Sequence, residues 1–308
     1  MKLDGKKHTL PNGIEINLPE IKIVKENKET KEWEETQEHL YIDGYLFNNI
    51  YSIKQNAKKY NGDILFVVDG EEGSGKSTIA RQISIVLDTS FDDKRICYST
   101  QDAIQMHKKH GKWKSLCLDE SKEDLDRKST MSKKNKYFMN FLSQSRQENK
   151  FLSVVLPSIF DLDKYVAEHR ARFLVHCYKF KGKNLGYFKF YGKKGIKKLF
   201  MYGSKTREYN VSPSFTGRFS KQEVIDLKEY DKRKKAAIQK YYKMVEEDID
   251  RSEQDIIKDY ILERIEDIDS IKDNHKFTVH ALCAILGIST SSLYRYKEEI
   301  EQRKKASN

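Results

Sequence analysis

Residues 64–78 read Ile64-Leu65-Phe66-Val67-Val68-Asp69-Gly70-Glu71-Glu72-Gly73-Ser74-Gly75-Lys76-Ser77-Thr78. An apolar run feeds a glycine-rich loop that closes on Gly75-Lys76-Ser77, and an amphipathic segment follows at once. A phosphate-binding P-loop requires this order. The strand aims the loop, the glycines let backbone N–H groups close around phosphate oxygens, and the next helix presents its positive end. Lys76 would reach the β- and γ-phosphates of ATP, and the Ser77 hydroxyl would ligate Mg²⁺. Gly70, Gly73, Ser74, Gly75 and Thr78 complete the candidate nucleotide-binding set.

Such a loop needs an acidic partner. Leu116-Cys117-Leu118 is an apolar run ending in Asp119-Glu120, and Asp119 lies 43 residues past Lys76, room for one more strand and helix. Mg²⁺ takes oxygen ligands, often through retained waters, and Asp119 on a neighbouring strand tip would supply one. Hydrolysis also needs a group to orient and deprotonate the attacking water, and Glu120 sits one residue on. Pro157-Ser158 closes another apolar run, Phe151 to Leu156. Ser158 is therefore a candidate γ-phosphate sensor, with helix N-capping as its alternative. Arg146, Arg170 and Arg172 are candidates for neutralising transition-state charge. Supplied by a neighbouring subunit, one of them would make hydrolysis depend on assembly. Glu71 and Glu72 would repel a nucleotide unless they point to solvent; otherwise Glu72 is a second group for positioning water.

The 308 residues are 38% hydrophobic and 34% charged, enough for one core and a second small unit. No run approaches the roughly 18 apolar residues of a membrane helix, and Met1-Lys2-Leu3-Asp4 lacks a signal-peptide core. A cytoplasmic protein without membrane contact is expected. Cys97, Cys117, Cys177 and Cys283 lack metal-ligand spacing and read as reduced core thiols. The net charge of +11 is uneven: from Lys221 onward 18 basic residues face 19 acidic ones, so the excess lies before that point. Its densest stretch, His176 to Asn210, holds 10 Lys or Arg against one Glu. This favours a polyanionic partner, nucleic acid before membrane, over a merely lysine-rich surface.

Five segments follow from the pattern. Residues 1–44 read as a hairpin appendage or a loosely ordered arm. Residues 45–180 alternate strand and helix as a P-loop core, opening with a helix over 45–59. Within it, helices are predicted over 76–87, 101–110, 135–149 and 161–169. Parallel strands buried on both faces give the uniform apolar runs seen here. Residues 181–219 form a basic β-rich extension, because 176–203 alternates aromatic and basic residues between glycines, a hairpin pattern. Residues 220–272 read as charged helix, and 273–308 as a helix-turn-helix.

From the P-loop to about Tyr178 the chain resembles the FtsK–HerA class of DNA-motor ATPases, and more narrowly the Zot-like ATPases of phages and mobile elements. Gly70 to Thr78, Leu116 to Glu120, and Phe151 to Ser158 leading into Asp161-Leu162-Asp163-Lys164-Tyr165 and Arg170 carry the resemblance. It implies a RecA-like core, assembly of identical subunits into a ring, and ATP-driven movement of DNA. The class usually has Gln or another polar residue at the sensor tip, where this chain has Ser158.

Near the C-terminus, Phe277 to Tyr296 has the helix-turn-helix pattern. Val279, Leu282 and Leu286 face inward, Gly287 makes the turn, Ile288 plugs the angle and Ser289 caps the second helix. Ser291, Ser292 and Arg295 would face a DNA major groove, although such units also dock proteins. Together these features describe an α/β chain, a RecA-like P-loop NTPase core with a β-rich extension and a helical C-terminal arm. The expected activity is Mg-dependent ATP hydrolysis driving a DNA motor of a virus or mobile element. A P-loop kinase, or an ATP-controlled DNA-binding regulator or partition-like switch, are the rivals.

Overall fold

The computed structural model describes residues 1–119, 141–142, 145–180, 183–249, 278–286, 288–296 and 298. The chain divides into two compact units, Met1–Lys234 and Lys235–Asn308.

In the first unit, two hairpins pair β1 (Lys7–Thr9) with β2 (Glu15–Asn17) and β3 (Lys22–Glu26) with β4 (Trp33–His39). They are not a loose arm, since Leu3, Ile21, Ile23, Leu40 and Ile42 are buried in the main core. Helix α1 (Gly44–Lys59) follows, its first turn capped by the Asp43 carboxylate, which accepts from Leu46 N–H at 3.0 Å. The P-loop strand β5 (Ile64–Gly70) is buried along its whole length, and α2 (Lys76–Leu87) follows it. Then come β6 (Ile96–Cys97), α3 (Thr100–Lys109), β7 (Ser115–Asp119), β8 (Phe151–Val155), β9 (Ala171–Phe180) and β10 (Lys183–Gly192). Helix α4 (Lys193–Gly203), β11 (Phe215–Arg218) and the start of α5 (Leu227–Ile249) complete this unit.

Among the described residues, a seven-stranded sheet has the order β11-β10-β9-β5-β8-β7-β6. The run β9-β5-β8-β7-β6 is parallel, and β10 and β11 extend it as an antiparallel edge. The alternation of side chains along β5 explains the layers. Phe66 and Val68 join the core formed with α1 and α2, while Leu65 and Val67 join the opposite one. Both faces are thus covered, as continuous apolar strands demand, at about 1.5–3 kcal/mol for each fully buried large apolar side chain.

Three expectations need correction. The β-rich extension is not separate, because β10 and β11 continue the core sheet. Residues 193–203 are helical rather than a hairpin, since Ile196, Leu199 and Phe200 at three-to-four spacing bury one face of α4. The helix expected over 161–169 is shorter and irregular: a 3₁₀ turn, Ile159–Asp161, and an extended Leu162 come first, and residues 164–170 are helical, π-helical from Val166 to Arg170. Asp163 restarts the chain there by accepting from Tyr165 N–H at 2.8 Å. Of the helix expected over 135–149, the stretch 135–140 lies outside the described residues.

The second unit holds α6 (Val279–Leu286) and a helical stretch over 290–296. Ser289 caps the latter, its hydroxyl accepting from Ser292 N–H at 3.1 Å. Cys283, Leu293 and Tyr296 are buried. Gly287, the expected turn residue, lies outside the described residues. Among the described residues no helix is long and apolar enough to cross a membrane.

At its carboxyl end β5 passes so close to β9 that a Cβ on Gly70, whose φ is +135°, would collide with the Cys177 carbonyl. Only glycine fits this backbone without strain. Gly70→Ala is expected to lower the unfolding free energy by about 2 kcal/mol or more. Urea denaturation measures this, and an unchanged midpoint would contradict the close approach.

Candidate nucleotide site

The carboxyl ends of β5, β8 and β7 lie side by side, so the P-loop, the Pro157-Ser158 tip and Asp119 share one end of the sheet. Gly73 and Gly75 take left-handed conformations, φ +70° and +90°, which bend the loop back toward α2. Gly75 caps α2 without a side-chain hydrogen bond, so the first-turn N–H groups are not satisfied by a cap side chain. Ser74 Oγ donates to the Glu71 carbonyl at 2.7 Å and braces the loop from within. Lys76 is buried, its Nζ donating to the carbonyls of Gly70 and Glu71, both at 2.8 Å. The cation therefore sits inside the ring of the loop. Glu71 and Glu72 are exposed, which removes their charge from the cradle.

Ser77 Oγ donates to Asp119 Oδ1 at 3.0 Å. A hydroxyl and a carboxylate at this separation, at the start of a helix, form the hard-oxygen pair that suits Mg²⁺. Ser77 and Asp119 would hold that ion, and it would supply neutralisation of phosphate charge. Glu120 lies outside the described residues. Thr78 does not face the cradle with its hydroxyl, which donates to Glu223 Oε1 at 3.0 Å.

Ser158 caps the 3₁₀ turn, accepting from Phe160 N–H at 3.3 Å, and its hydroxyl lies 3.2 Å from that of Tyr209. Behind it Asp69, fully buried, accepts from Ile159 N–H at 2.6 Å, from Tyr209 Oη, and pairs with His176 Nδ1 at 2.8 Å. Burial and the Asp69 carboxylate push the Tyr209 phenol up, so it stays a donor at neutral pH. Ser158 is thus tied into a buried network at the strand tips.

The arginine candidates lie elsewhere. Arg170 precedes β9, and its Nη2 donates to Asp63 Oδ2 at 2.7 Å and to the Leu142 carbonyl at 2.8 Å. Asp63 precedes β5, so this pair marks the amino end of the sheet, opposite the P-loop. Arg170 consequently serves the base of the sheet and does not reach the phosphate cradle of its own chain. Arg146, exposed, lines a cavity of about 430 Å³ at the same end, together with Asn61, Asn149, Tyr165 and Arg170. Arg172 is exposed near the start of β9.

Sequence reasoning missed a second ring of residues around Asp119. Tyr230 Oη donates to Asp119 Oδ2 at 2.7 Å. Burial, then the Asp119 carboxylate, push the Tyr230 phenol up, which keeps it protonated. Arg81 on α2 pairs with Glu223 at 2.8 Å and stacks 4.7 Å from the centre of the Tyr230 ring. Gln82 Nε2 donates to the carbonyls of Ser220 and Gln222 at 2.9 and 2.8 Å. The sequence hint was local: Arg81 and Gln82 are large polar residues set among the apolar positions of α2, and both are buried.

No family model and no curated protein matches the chain. Among solved structures, the N-terminal domain of zonular occludens toxin from Neisseria meningitidis is weakly similar. It shares 14% identity at a TM-score of 0.33, over 52% of this chain and 94% of that one.

Removing one donor from a buried carboxylate costs about 1.5–3 kcal/mol. Tyr209→Phe, which strips the hydroxyl from Asp69, is expected to destabilise the protein by that amount in thermal or urea melts. A melt superimposable on wild type would show that Tyr209 does not serve Asp69.

Proposed function

We propose that the chain is a Mg-dependent ATPase with a RecA-like core that works on DNA, as a translocating or packaging motor of a virus or mobile element. The observation that carries the ATPase reading is the Ser77–Asp119 contact, made across the intervening strand β8 beside a buried P-loop lysine. A strand between the P-loop strand and the acid strand leaves room at its tip for a water-positioning group and a sensor. Lys76 and the first-turn N–H groups of α2 bind and orient the phosphates. Ser77 and Asp119 hold Mg²⁺, Glu120 takes the proton of the attacking water, and Ser158 reads the tip of the bound nucleotide.

The DNA part rests on surface chemistry. On one face of β9, β10 and β11, Tyr178 pairs across strands with Tyr187, Lys189 lies 5.7 Å from the Tyr178 ring and Arg218 5.2 Å from that of Tyr187. Aromatic rings interleaved with cations, in and beside the most basic stretch of the chain, suit a polynucleotide. In the second unit, α6 and the Ser289-capped stretch 290–296 support the helix-turn-helix reading, with Ser291 and Arg295 exposed. That module would engage DNA or a protein partner. In a homo-oligomeric ring in the cytoplasm, a neighbour would present Arg146 or Arg172 to the nucleotide.

Glu120→Gln is expected to retain ATP binding and to lower turnover at least a hundredfold, the usual weight of a general base. Duplex or single-stranded DNA is expected to stimulate wild-type turnover. Near-wild-type turnover in Glu120→Gln would put the base elsewhere. Slow hydrolysis indifferent to DNA would favour the regulatory switch, and phosphate transfer to an acceptor would favour the kinase.

A further inference from the structure

Both oxygens of the Asp119 carboxylate are engaged, and by elements far apart in sequence. Ser77 at the start of α2 donates to Oδ1 at 3.0 Å, and Tyr230 in the first turn of α5 donates to Oδ2 at 2.7 Å. Asp119 is 1% exposed and Tyr230 6%, so neither bond has ready competition from water. The two donors are not equivalent. The Ser77 oxygen is the one a P-loop turns to a metal ion, whereas a phenol on the far oxygen leaves the near one available to the ion's hydration shell.

Tyr230 is itself held. The Arg81 guanidinium, 4% exposed, covers its ring, and Glu223 fixes that guanidinium through Nε at 3.2 Å and Nη2 at 2.8 Å. Glu223 also accepts from Thr78, one residue past Ser77, at 3.0 Å. A closed circuit therefore runs from the P-loop helix through Glu223, Arg81 and Tyr230 to the acid on β7, and returns through Ser77.

We infer that Tyr230 is a positioning residue of the nucleotide site: its hydroxyl fixes the Asp119 carboxylate for Mg²⁺ uptake, and the Arg81–Glu223 pair fixes Tyr230. The inference rests on the reading of Asp119 as the metal acid. It makes the segment 220–230 part of the site rather than a linker leaving it. Groups that orient a metal-bound carboxylate typically cost 10–100-fold in metal affinity when removed.

The test titrates MgCl₂ against the full chain with a fluorescent ADP analogue, beside the analogue's affinity in EDTA and the thermal midpoint. Tyr230→Phe keeps the ring over Arg81 and deletes one oxygen. It is expected to raise half-saturating Mg²⁺ about tenfold while leaving affinity in EDTA within about twofold. Glu223→Gln, which loosens Arg81 without touching Asp119, is expected to shift Mg²⁺ dependence about threefold in the same direction, and the double variant to match Tyr230→Phe alone. It also serves should Tyr230→Phe fail to fold. An unmoved Mg²⁺ dependence in both variants overturns the inference. So does a lowered requirement, which would make the phenol a competitor of the metal. Wild-type protein that takes up no analogue with Mg²⁺ overturns the ATPase reading and this inference with it, a result distinct from the other two.

Discussion

Gly70 ends strand β5 pressed against the Cys177 backbone of β9 on one side, while its N–H donates to the Pro157 carbonyl, just past the end of β8, at 3.2 Å on the other. A loop leaving a strand held this way has one exit. Its direction is set by parallel neighbours on both edges, and these are buried under helices on both faces of the sheet. The lysine then closes the loop on itself through the carbonyls of Gly70 and Glu71, and α2 starts in the only place left for it. The geometry around the candidate site follows from that pinned exit more than from the loop's own hydrogen bonds, most of which lie within a few residues.

Around this exit the chain gathers polar groups that would be expensive to bury singly. Asp69 carries three partners, Asp119 two hydroxyl donors, and Arg81 one Glu223 oxygen reached by two of its nitrogens, with an aromatic ring beside it. Each of these buried charges meets charged or polar partners, as desolvation requires, with Arg81 Nη1 left without a hydrogen bond among the described residues. Such networks define one arrangement sharply. They also link distant segments, since Tyr209 joins the β8 tip and Tyr230 the β7 tip, both from later in the sequence.

The parts legible in the sequence are those whose physics is local. The run Ile64 to Val68 is uniformly apolar because both faces of β5 are covered, and α2 repeats Ile79, Ala80, Ile83, Val86 and Leu87 at helical spacing. The pairing of Ser77 with Asp119 followed from strand–helix alternation between them. Tyr230 and Glu223 were hidden because their partners lie more than 100 residues away, and nothing in a charged helical segment marks one tyrosine from another. The stretch 193–203 misled for a different reason: Gly192 and Gly195 bracket its start, and the aromatic–basic alternation of β10 runs straight into it. The edge strands were readable as strands, but their attachment to the core sheet was not, since an antiparallel edge leaves no local signature of what it joins.

Equilibrium uptake of ATP in the presence of Mg²⁺ tests the central claim most directly. One nucleotide bound per chain is expected, with EDTA weakening it and Lys76→Ala, which removes the cation from the loop, abolishing it. Protein that stays folded yet takes up no ATP at millimolar concentration would contradict the claim.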